Sequence, residues 1–157
     1  MYRIPIYQVR LVRDGSQRAE RKQVNAPATA AAVLHQYLAD ADREHFVVLL
    51  LDTQNQIIGI HTVTVGTLDA SLTHPREIFK AAFLANAASI VLAHNHPSGD
   101  PAPSAEDHTV TRQLRDAGAL LGIEVHDHIV LGDAPRYYSF AEAGALELLS
   151  SHPTGVG

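Results

Sequence analysis

The sequence predicts an α/β chain (α+β in detail) built as a central sheet covered by helices. Three observations carry that reading. FVVLLLD at 46–52 and SIVLAH at 89–94 are short apolar runs of the length expected for buried strands. Stretches with helical spacing alternate with them. Pro27 and Pro75 stand where helices begin, a position that tolerates the missing N–H.

Taken in order, YRIPIYQVRLVR alternates around Ile4, Ile6 and Val9 and reads as a strand, with Pro5 favouring a sheet edge. DGSQRAERKQVN is a polar turn and return. These residues, 1–26, are expected to belong to the same domain as 27–150, with 151–157 a frayed tail. A helix follows Pro27, placing Val33, Leu34, Tyr37 and Leu38 on one face. The 46–52 strand turns at TQNQ and pairs as a hairpin with IIGIHTVTVG, 57–66. A helix over 74–87 buries Ile78, Ala82 and Phe83. The 89–94 strand leads to a helix over 104–121 with Val110, Leu114, Ala117 and Leu121 inward. IEVHDHIVLG at 123–132 is a strand, YYSF a short strand or turn, and AEAGALELL a closing helix.

Composition sets outer bounds. The 157 residues are 46% hydrophobic and 18% charged, enough for one real core. No apolar run is long enough to span a membrane, and the start lacks the pattern of a signal peptide. Cysteine is absent, which removes disulfides, thiolate metal sites and thiol nucleophiles together. A cytoplasmic location fits. The net charge of −5 is uneven: residues 1–23 hold six basic residues against two acidic (+4), and the rest holds six against fifteen (−9). The basic arm is a candidate for weak contact with a phosphate backbone or an acidic partner; the plainer reading is a solvated edge strand and turn.

The stretch LAHNHPSGDPAPSAED at 92–107 carries the chemistry. Alternate residues of an extended chain point to one side, so His94 and His96 both face a point just beyond the strand. Two imidazoles aimed at one point begin a transition-metal site. Asp107 is the nearest third ligand. Ser104 reads as a helix N-cap, which puts Asp107 in the first helical turn. Pro97, Pro101 and Pro103 lower the entropy lost in bringing it back. A His₂Asp set leaves one tetrahedral position open for water, as in catalytic zinc; nickel or iron also suits these ligands. Taken separately, an HxH pair and a capping box are common and weak signals.

The pattern His94-x-His96-Pro97 followed by Ser104-x-x-Asp107 resembles the motif of JAMM-type metallopeptidases. With HPREIFKAAFLANAASIVLAHNHPSGDPAPSAED and the later DHIVLGD, the chain resembles the RadC family in particular, from about residue 40 to 142. The resemblance implies a JAB/MPN-like fold, a central mixed β-sheet flanked by helices. It also implies one zinc ion held by His94, His96 and Asp107. Glu44, just before the first buried strand, would then be the general base for the zinc-held water, and Ser104 a hydrogen-bond donor to the oxyanion. Glu77 and Glu106 are rivals to Glu44, read as an exposed helix acid and a first-turn acid. RadC relatives often carry a helix-hairpin-helix DNA-binding region, and no counterpart precedes Pro27 here. The function so implied is a zinc-dependent peptidase or isopeptidase acting on a peptide or protein. The alternatives are a metal-dependent DNA-processing or repair accessory and a non-catalytic scaffold of MPN type.

Two further features need placing. His94-Asn95-His96 spells HNH, but that nuclease motif draws its residues from separate parts of a ββα unit, so Asn95 is read as a backbone or groove contact. EVHDHIV offers His126 and His128 as a same-face pair with Asp127 opposite, either supporting the metal ligands or, in the plainer reading, partly exposed.

Overall fold

The computed structural model describes residues 1–69 and 73–148; the expected tail at 151–157 and the last residue of the expected closing helix lie outside them. The elements are α1 (Pro27–Tyr37), β1 (His45–Leu51), β2 (Ile57–Val65), α2 (Pro75–Leu84), β3 (Ser89–Asn95), α3 (Ala105–Leu121), β4 (Glu124–Leu131), β5 (Tyr137–Ser139) and α4 (Ala145–Leu148). The sheet runs β2-β1-β3-β4-β5. It is mixed: β3 and β4 are parallel and the other neighbours antiparallel. The parallel pair needs a crossover, which α3 supplies. β1 and β2 form the expected hairpin. Asp52 Oδ1 accepts from the N–H groups of Gln54 and Gln56, each at 2.9 Å, and Asn55 takes a φ of 57° to close the turn.

Strand alternation divides the core into two layers. Phe46, Val48 and Leu50 of β1 with Ile90 and Leu92 of β3 meet α2 and α3. Val47, Leu49 and Leu51 with Val91 and Ala93 meet α1. Both faces of β1 and β3 are covered, which is why each reads as an unbroken apolar run. The same parity assigns Glu44 and His94 to the α3 side.

Several expectations are corrected. Residues 1–19 form no strand, and within 1–23 every residue but Gln17 is exposed. Apolar alternation makes a strand only where a neighbouring edge supplies hydrogen bonds. Among the described residues, the segment meets the sheet at its end, where Lys22 and Gln23 lie beside the start of β2 and Gln23 is bridged to Gln56. Phe83, Tyr37 and Leu121 are respectively 50, 38 and 42% exposed, so each faces out. On α2 the inward aromatic is Phe79 and on α3 the buried set includes Thr111 and Gly118. A Cβ on Gly118 would meet the carbonyl oxygen of Ile123 at 2.4 Å, so α3 folds back onto its own exit loop there.

Histidines 126 and 128 do not form a same-face pair. β4 shifts register against β3 between Val125 and Asp127, leaving His126 in a bulge. Beyond the bulge, His128 is fully buried rather than partly exposed, on the α3 side. His126 is half-buried. Asp127 is sealed among donors: the N–H groups of His128 (2.7 Å) and Ala141 (2.9 Å) reach Oδ1, and the Ser139 hydroxyl reaches Oδ2 at 2.6 Å. Burial raises the Asp127 carboxyl pKa above its ordinary value, while these bonds pull the other way.

Candidate metal centre

β3 carries His94 at its penultimate position, and the backbone leaves the sheet one residue after Asn95. The loop that follows is fastened rather than loose. Gly99 takes a φ of +86° and its carbonyl accepts from the Asp133 N–H at 2.9 Å. A Cβ on Gly132 would meet that same carbonyl at 2.4 Å, so glycine is what lets the Pro-rich loop lie against the β4–β5 turn. The loop ends at Ser104, whose side chain accepts from the Asp107 N–H at 3.1 Å. The Asp107 carboxylate accepts in return from the Ser104 N–H at 2.8 Å. This capping box fixes Asp107 in the first turn of α3, buried and aimed at the end of β3.

Three side chains converge as a result. His94 Nε2 lies 3.0 Å from Asp107 Oδ1, His96 Nε2 lies 3.1 Å from Asp107 Oδ2, and the two Nε2 atoms are 3.1 Å apart. Ligands of a tetrahedral zinc at about 2.0–2.1 Å sit roughly 3.3 Å from one another, close to these separations. Glu44 joins from the other side: its carboxylate and ligand nitrogens of His94 and His96 all lie within 4.8 Å of one another. Glu44, His94 and His96 thus form one group, Asp107 contacts both of its imidazoles, and Ser104 caps the helix that carries Asp107. Glu77 is half-buried and paired with Lys80 at 3.0 Å, and Glu106 sits in the first turn of α3.

Hydrogen-bond polarity decides where the imidazole protons reside. The Asp107 carbonyl can only accept, so the Thr111 hydroxyl donates to it at 2.6 Å. Thr111 must then accept from His128 Nδ1–H, with which it is in contact. Burial, with His94 nearby, holds His128 well below the ordinary imidazole value, so its ring is neutral and Nε2 is an acceptor. His94 Nδ1–H donates to that atom at 2.8 Å, which leaves a lone pair on His94 Nε2. His96 follows the same logic: Nδ1–H donates to the Asp100 carbonyl at 2.9 Å and frees Nε2. Burial pushes the Asp107 carboxyl up. The hydrogen bond and charge that a protonated His94 brings, the Ser104 N–H and His96 outweigh it and hold Asp107 well below the usual carboxylate range; a cation held by deprotonated Nε2 atoms would supply the same positive charge. With both rings in these neutral tautomers, two lone pairs and a carboxylate face one another at 3.0–3.1 Å. A cation is what such a donor set fits, and two imidazoles with one carboxylate match zinc better than calcium or magnesium.

Residues without a motif signature complete the site. Asn95, between the two ligands, accepts from the His45 N–H at 2.7 Å and donates to the Arg43 carbonyl at 3.0 Å. It therefore grips the backbone on both sides of Glu44. His128 backs His94, the supporting place that the sequence offered to it, while Thr111 has no motif signature. Thr111 had one readable sign, its place four residues after Asp107 on the same helix face. A depression of about 630 Å³ bordered by Arg115, Gly118 and His126 lies at the opposite end of β3 and β4 and holds none of these groups.

A mixed sheet with helices on both faces and a His, His, Asp and Glu cluster at one end defines a JAB/MPN-like domain. Residues 24–145 match the RadC-like JAB domain, and the chain belongs to that family. It is 51% identical over 126 residues to a UPF0758 protein of Rubrobacter xylanophilus and 50% identical over 126 residues to one of Desulfitobacterium hafniense. A UPF0758 protein of Methanosarcina acetivorans is 44% identical over 124 residues. These matches cover 79–80% of this chain but only 54–55% of each relative, so the chain spans about half the length of those proteins.

Proposed function

We propose that this domain is a zinc-dependent hydrolase that cleaves peptide or isopeptide bonds. The observation that carries the reading is the convergence of His94 Nε2 and His96 Nε2 on the Asp107 carboxylate at 3.0–3.1 Å, with each Nδ1 held against a partner behind it. His94, His96 and Asp107 would hold the ion. Zinc supplies Lewis acidity there and lowers the pKa of water toward about 7. Glu44, partly exposed and within reach of the same point, takes the proton of the attacking water and delivers it to the leaving amine. Asn95 holds the Glu44 backbone so that this carboxylate does not drift. The Ser104 oxygen accepts from Asp107 as a cap, which leaves its hydroxyl proton free to donate to the oxyanion. His96 is 17% exposed at the side chain while His94 and Asp107 are sealed, so substrate approaches from the His96 and Glu44 side.

A peptide and isopeptide library, incubated with the zinc-loaded chain, tests the proposal. Glu44→Gln is expected to retain the metal and lose hydrolysis by about 10²–10⁴-fold. Loss of metal in Glu44→Gln would make Glu44 a ligand, and equal turnover in both proteins would remove it from the chemistry. A parallel nucleic-acid library separates the DNA-processing alternative.

A further inference from the structure

The first dozen residues present a surface that the rest of the chain leaves uncovered. Tyr2, Ile4, Ile6, Tyr7, Val9 and Val12 are each 73–96% exposed, and Leu11 is 47% exposed. Single exposed apolar residues are ordinary, but this density in consecutive positions marks an interaction segment. The segment precedes the family-matched residues 24–145, so the JAB fold does not account for it. Burying side chains of this size covers on the order of 1,000 Å² of apolar surface per segment, and two such segments reach a stable interface.

The sheet offers a receptor of fitting length. β2 is an edge strand, paired along one side to β1. Among the described residues its outer side is met only at its start, where the Ile57 N–H donates to the Lys22 carbonyl at 2.8 Å beside the Gln23–Gln56 bridge. Exposed apolar groups flank this edge: Ile58 (42%), Val65 (55%) and Tyr37, whose hydroxyl bonds Thr62 at 2.7 Å. The segment cannot satisfy its own edge in the existing register. Continuing upstream from Gln23 opposite Gln56 brings Asp14 opposite Val65, where β2 ends, and residues 2–12 run past it. A phosphate backbone would pair with Arg3, Arg10 and Arg13 but leave the apolar side chains in water.

We infer that residues 2–12 add as an extra strand to the outer edge of β2 in a second copy, reciprocally, in a two-fold dimer. Pro5 is compatible, because the added strand becomes the new edge and needs no donor on its outer side. Light scattering on the full chain is expected to give twice the 17.0 kDa chain mass. Ile6→Glu with Val9→Glu, both in the exposed segment, is expected to give monomer with an unchanged circular dichroism spectrum. The chain contains no cysteine, so position is read by a short bismaleimide between Ile6→Cys in one copy and His61→Cys in a mass-tagged copy. A link between copies is the expected result. A monomeric full chain, a dimer that survives the double substitution, a link confined to one copy, or capture of DNA by the monomer would each overturn the inference.

Discussion

His128→Phe probes the hydrogen-bond chain behind the metal ligands. The ring stack on Phe140, at 5.0 Å and 10°, and the edge contact with Phe46 can both be kept by a phenyl ring. Both nitrogens are lost. His94 Nδ1–H, 2.8 Å from its acceptor and fully buried, is left without one, and its neutral tautomers are no longer distinguished. A buried orphan donor costs about 1–3 kcal/mol of stability. When the proton shifts to Nε2, the ligand lone pair disappears. Loss of such a supporting partner weakens metal binding about 10–100-fold, equivalent to roughly 1.4–2.7 kcal/mol. Zinc affinity measured by competition with a chromophoric chelator, alongside urea unfolding, reads both. His128→Gln restores a carbonyl acceptor toward His94 and an amide donor toward Thr111, and is expected to recover most of the affinity. Unchanged zinc affinity in a folded His128→Phe protein would refute the polarity assigned to the chain.

Ser104→Ala removes the N-cap of α3 and is expected to cost about 1 kcal/mol in chemical denaturation; a further fall in turnover at full metal loading would support its role at the oxyanion. Asp127→Ala leaves two N–H groups and the Ser139 hydroxyl without their acceptor and is expected to cost about 3 kcal/mol or more, with a loss near zero contradicting its structural role. Asn95→Ala frees the backbone around Glu44 and is expected to lower turnover with little change in zinc affinity, whereas Asn95→Asp keeps the acceptor for His45 N–H and recovers part of it; equal turnover in all three proteins would contradict the role.

Much of the site was legible because it rests on local rules. The parity of an extended chain put His94 and His96 on one side, and a capping box located Asp107 without long-range information. β1 and β3 were legible because strands covered on both faces cannot hide their composition. The partner of Glu44 was not legible from spacing: fifty residues separate it from His94, and only the resemblance to the RadC family joined them. The rest depended on contacts between distant segments. The bulge at His126 breaks an alternation that the sequence shows as unbroken, so of the two readings open for His128 the exposed one fails and support of a metal ligand holds. Gly99 belongs to a Pro-rich loop and Gly132 to the end of the expected 123–132 strand, and only their approach across the β4–β5 turn reveals why no side chain fits. The first twelve residues have the pattern of a strand and none of the backbone partners, since a strand is a property of two segments.

Elemental analysis of the chain purified without added metal, repeated on Asp107→Ala, tests the central claim most directly. About one zinc per chain, lost on replacing Asp107 while the fold persists by circular dichroism, is the predicted result. A folded chain that takes up no divalent ion, or an Asp107→Ala protein that holds zinc as tightly as its parent, would contradict it.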